Sequence, residues 1–70
     1  MANYCVNTNP QANGDHEVHN LDVSCSFLPD PTNRLNLGNH QTCTTAVAAA
    51  RQHYAKVNGC FYCARACHTG

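Results

Sequence analysis

The sequence predicts a small α+β fold, with a two- or three-stranded antiparallel sheet, one helix across it, and a C-terminal zinc knuckle tying the tail to a strand end. Three observations carry this expectation. The chain has 70 residues, the length of one domain (residues 1–70), whose core alone supplies only about 3–5 kcal/mol. One stretch has the apolar spacing of a helix, while three shorter stretches read as extended. Six cysteines and five histidines offer the cross-link that so small a core needs. The apolar content of 43% overstates that core, because much of it is Ala and Cys.

The elements follow in chain order. Residues 3–7 (Asn-Tyr-Cys-Val-Asn) read as a short strand. Residues 8–15 are dense in turn formers. Residues 16–23 read as a second strand, with His19, Leu21, Val23 and Cys25 on one parity and His16 and Val18 on the other. Leu28-Pro29-Asp30-Pro31-Thr32-Asn33 is a loop, since two prolines this close block both helix and ladder. Arg34–Leu37 alternates as a third strand, stopped by Gly38-Asn39.

The strongest local signal is a helix from about Thr42 to Asn58. Thr42 suits an N-cap, and Cys43, Val47, Ala50, Tyr54 and Val57 draw one apolar stripe. Alanines between them favour the helix, Arg51 and Lys56 suit its C-terminal half, and Asn58-Gly59 reads as a C-cap. A small sheet needs such a stripe as cover.

Net charge is zero with His neutral, and the four basic residues are scattered. This argues against holding nucleic acid mainly by charge and against docking on anionic lipid. No apolar run is long enough for a membrane helix. The start lacks a basic segment followed by an apolar one, so a cytoplasmic protein is expected.

Cys60-Phe61-Tyr62-Cys63 carries the chemistry. Two thiolates at this spacing reach one tetrahedral zinc from a tight turn, and Phe61 and Tyr62 could shield the sulfurs. Cys25, between two serines, is the best upstream ligand, and the fourth is His19, His68 or Cys67. His19 is the first choice, but a straight strand from His19 to Cys25 would span about 20 Å. Both can ligate only if the chain bends near Asp22–Ser24. Cys5 and Cys43 read as small buried hydrophobes, and His40 and His53 as surface residues.

The order His19, Cys25, short strand, Ala-rich helix, Gly59-Cys60-x-x-Cys63 distantly resembles the zinc-binding domain of the bacterial methylation-repair protein Ada, over residues 16–63. That family opens on two closely spaced cysteines, where this chain has His19 and Cys25 with a longer gap. Its methyl-acceptor chemistry and DNA-contacting basic residues have no clear counterpart here. The resemblance implies a metal-stapled α+β frame and no activity.

Other chemistries fit less well. A redox Cys-x-x-Cys opens a helix, whereas Cys60 is expected to follow one. His16-Glu17-Val18-His19 lacks a spacer residue of the zinc-protease motif. Cys63–His68 resembles an expanded haem-attachment motif, but almost no chain follows it to wrap a haem. The expected function is a small zinc-binding protein acting as a non-enzymatic interaction module, with another protein as partner. The alternatives are a metal-dependent enzyme or metal-handling protein with an open site, and a disulfide-stapled secreted domain.

Overall fold

The structure, a computed structural model, describes residues 1–69. Four strands and one helix follow in the order β1 (Ala2–Asn7), β2 (His16–Asn20), β3 (Arg34–His40), α1 (Cys43–Ala50) and β4 (Val57–Gly59), with 3-10 turns at Pro31–Asn33 and Arg65–Cys67. The strands form one sheet in the order β3-β1-β2-β4. β1 pairs antiparallel with both β2 and β3, and β4 lies parallel to β2. The fold is thus α+β with one helix, but the sheet is mixed and four-stranded rather than antiparallel with two or three strands.

The fourth strand comes from the expected helix. α1 ends at Ala50, and the Arg51 N–H closes it on Val47 and Ala49 carbonyls. Tyr54 then stacks on His16 with ring centroids 3.7 Å apart. The His16 N–H donates to the Lys56 carbonyl at 2.9 Å, and Val57 enters the register opposite His16. The free edge of β2 therefore takes the backbone that the periodicity assigns to a longer helix. An open ladder must find partners, and a β-branched Val suits one. Thr42 has the extended backbone of an N-cap, but its side chain makes no capping bond.

Gly38 does not stop β3. Tyr4 faces Gly38 while Cys5 faces Asn36, so Leu37 is the extra residue of a bulge. Gly38 has φ +83°, a conformation that costs glycine little.

Alternation along β1 and β2 divides the sheet's two faces. Tyr4, Val6 and Val18 pack with Cys43, Ala46, Val47 and Ala50 of α1 in the core. Cys5 and His19 have the opposite parity, are opposite one another in the register, and are fully buried. Among the described residues, no helix is long and apolar enough to cross a membrane.

Candidate metal centre

Parallel pairing of β2 with β4 builds the site. Val18 is opposite Gly59, and the Cys60 N–H donates to the Val18 carbonyl at 2.9 Å. The next residue of each strand is then a ligand type, His19 on one and Cys60 on the other. Beyond Cys60 the chain turns, with the Ala64 N–H donating to the Cys60 carbonyl at 3.0 Å, and this brings Cys63 back. Gly59 permits that turn, since a Cβ there would sit 2.7 Å from the Ala64 carbonyl oxygen.

Cys25 arrives by a bend. β2 ends at Asn20, whose side-chain oxygen accepts the Asp22 N–H at 2.9 Å, and the chain turns through residues 21–23. The bend removes the length problem of a straight strand. His19, Cys25, Cys60 and Cys63 come together, their ligand atoms all within 4.8 Å of one another. His19 and Cys60 are buried, Cys25 and Cys63 half-buried.

Two of the donor pairs have the spacing of a tetrahedral ion. With metal–sulfur bonds of about 2.3 Å and a metal–nitrogen bond of about 2.0–2.1 Å, sulfurs sit about 3.8 Å apart and nitrogen about 3.5 Å from sulfur. Here Cys25 Sγ is 3.8 Å from Cys60 Sγ, and His19 Nδ1 is 3.4 Å from Cys63 Sγ. The Asn20 N–H donates to Cys63 Sγ and the Tyr62 N–H to Cys60 Sγ, both at 3.4 Å. The Asn20 donor favours the Cys63 thiolate over its thiol.

Without a cation Cys63 and His19 would be neutral. Burial above all, with the neighbouring Cys60 and Cys25, pushes the Cys63 thiol up to about 12, against the relief given by the Asn20 N–H. Burial first, then the Arg34 guanidinium, holds His19 below its ordinary range, in the neutral form that ligates metal. The set is three softer sulfur donors and one imidazole, a combination found in structural zinc sites.

The other candidates for the fourth position lie elsewhere. Cys67 is disulfide-bonded to Cys43, with Cα atoms 6.2 Å apart. His68 turns Nδ1 to the Gly59 carbonyl at 2.9 Å, and its ring meets the edge of Phe61. Cys43 is buried as expected of a small apolar residue, but its sulfur is bonded. Cys5 is buried and free, and burial raises its thiol above the ordinary range despite Arg34 and the His19 backbone. His53 is exposed, whereas His40 is half-buried and bridges the Leu37 carbonyl and the Thr45 hydroxyl.

Sequence reasoning misses two contributors. Phe27, two residues after Cys25, stacks on Tyr62 between Cys60 and Cys63, with centroids 4.6 Å apart. This joins the two cysteine segments. Asn58, which reads as a helix cap, grips the tail: its oxygen accepts the Thr69 N–H at 2.9 Å and its amide donates to the Thr69 carbonyl at 2.8 Å. No protein-family model, curated protein sequence or solved structure matches this chain.

Proposed function

We propose that the chain is a small zinc-binding protein in which a closed site of three thiolates and one imidazole is structural, and that the frame it fixes acts as a non-enzymatic interaction module for another protein. The observation that carries the zinc reading is the four-donor cluster of His19, Cys25, Cys60 and Cys63, with all donor atoms within 4.8 Å of one another and two of the pairs at 3.8 and 3.4 Å. Four protein donors leave no coordination position for water, which separates a structural from a catalytic zinc. The interaction reading is supported by the exposed aromatics Phe27, Phe61 and Tyr62 beside the cluster. Exposed aromatic side chains in contact with one another are the usual anchors of protein contacts. The likeness to the Ada zinc-binding domain enters this proposal only as a metal-stapled α+β frame.

The test is elemental analysis joined to X-ray absorption on protein purified without added metal. About one zinc per chain is expected, with three sulfur neighbours, one nitrogen and no water oxygen. A zinc with an oxygen ligand in place of a sulfur would move the reading to the open-site enzyme or metal-handling protein. A chain without metal, with all its thiols oxidised, would return it to a disulfide scaffold.

A further inference from the structure

His19 presents an imbalance that the four donors leave unresolved. Its ring is wholly buried, and Nδ1 faces the cysteine cluster. A neutral imidazole carries a proton on one nitrogen and a lone pair on the other. If Nδ1 gives its lone pair to a metal, the proton is on Nε2, deep in the protein. Among the described residues Nε2 has no hydrogen-bond partner. The Glu17 carboxylate lies close by, with Oε1 3.6 Å from Nε2. Glu17 stands two residues earlier on β2, so alternation puts both side chains on one face of the sheet. The Glu17 side chain is only 16% exposed, and the distance exceeds a normal N–H···O bond by about 0.6 Å.

We propose that Glu17 is a positioning residue of the metal centre: its carboxylate accepts the Nε2–H of His19 and so fixes the ring with Nδ1 toward the ion. This rests on the zinc reading above. Metal-bound histidines usually donate their second ring N–H to a carboxylate, carbonyl or water, which sets the tautomer and raises ligand basicity. The Glu17-x-His19 pair supplies that arrangement within one strand. It also gives His16-Glu17-Val18-His19 a role unlike that of the protease motif: one histidine ligates, the glutamate orients it, and His16 stacks on Tyr54 outside the site.

The experiment has two arms. In zinc-loaded parent protein, nitrogen NMR of the His19 ring is expected to show a metal-bound Nδ1 and a slowly exchanging Nε2–H. In chelator competition, Glu17→Ala is expected to lose zinc affinity by about 10–100-fold, with Glu17→Gln, which keeps an acceptor oxygen, recovering most of the loss. Failure of the parent to bind zinc would sink the zinc reading itself. A parent that binds zinc through Nε2 overturns the Glu17 proposal alone, and that measurement needs no variant to fold. The proposal is equally overturned if Glu17→Ala binds zinc as the parent does, or if Glu17→Gln is as weak as Glu17→Ala.

Discussion

Cysteines tie the C-terminal tail to the body at two places, and the two ties are built from opposite materials. At Cys43–Cys67 a disulfide joins the start of α1 to the turn at Arg65–Cys67 across 24 residues of sequence. At the ends of β2 and β4, four side chains from three segments converge without any covalent bond between them. The helix needs a tie because its buried face is only Cys43, Ala46, Val47 and Ala50, of which Val47 alone is a larger aliphatic side chain. The strand ends need one for another reason. They bury Cys63, whose thiolate is unfavourable there until a cation arrives, and His19, held in the neutral form that can ligate one. One tie restricts the unfolded chain; the other satisfies groups that the folded chain has already desolvated.

The difference is broken most sharply at the cluster. Structural zinc contributes about 10–16 kcal/mol in zinc-finger peptides, and under the proposed zinc reading that binding energy would be folding energy here. Cys60→Ser or Cys63→Ser is therefore expected to remove both the bound zinc and the cooperative thermal transition, and a strong chelator should do the same to the parent. Circular dichroism and metal content measured on the same samples decide it. If both variants keep full zinc and a sharp transition, the cluster is not the metal site.

Loss of the disulfide should be milder and separable. Closing a loop of this size stabilises by about 2–4 kcal/mol. The double variant Cys43→Ser/Cys67→Ser is expected to be less stable by that amount and still bind one zinc per chain. Thermal denaturation of the zinc-loaded proteins reads the first quantity and their metal content the second. Zinc lost along with the disulfide would mean that the two ties are one unit, coupled through the short stretch between Cys63 and Cys67.

Much of this molecule is written in local sequence, and the unread parts share one cause. Ala-rich residues 43–50 do form the helix, because propensity and apolar period agree there. Tyr54 and Val57 keep the same period, yet the open edge of β2 draws them into a ring stack and a strand. A three-residue parallel strand has no alternation of its own to announce it. Gly38 reads as a stop, though it pairs with Tyr4 of β1 beside the bulged Leu37. The residues of the cluster are visible as ligand types, and the bend after Asn20 is the condition on which their meeting depends. The partner of Cys43 is not visible, because spacing alone does not choose among the pairings open to six cysteines. In each miss the deciding contact joins residues far apart in the chain.

The smallest expected difference between the two ties is their response to pH, and its sign follows from the groups involved. In the metal-free fold, burial raises Cys63 from 9.0 to about 12, so the protonated thiol is favoured. That contribution is present below 9.0 and lost as pH rises through about 12. Zinc reverses the preference, because it binds the thiolate and must expel the proton. Zinc affinity therefore rises with pH across the neutral range, by up to about tenfold per pH unit for each proton released, or about 1.4 kcal/mol. His19 adds nothing to this slope above its ordinary value of 6.5, since burial and Arg34 lower it and the ring is already neutral. Its neutral form contributes stability above 6.5, and that contribution is lost as pH falls from there through the lowered folded value. Chelator competition between about pH 7 and 8 should show a slope of at least one proton, with His19 steepening it only at lower pH. The melting shift caused by removing Cys43–Cys67 should stay constant over the same range, since a disulfide has no proton to exchange. A flat zinc affinity across that range would mean that Cys63 is already ionised before the metal binds, and that the Asn20 N–H outweighs its burial.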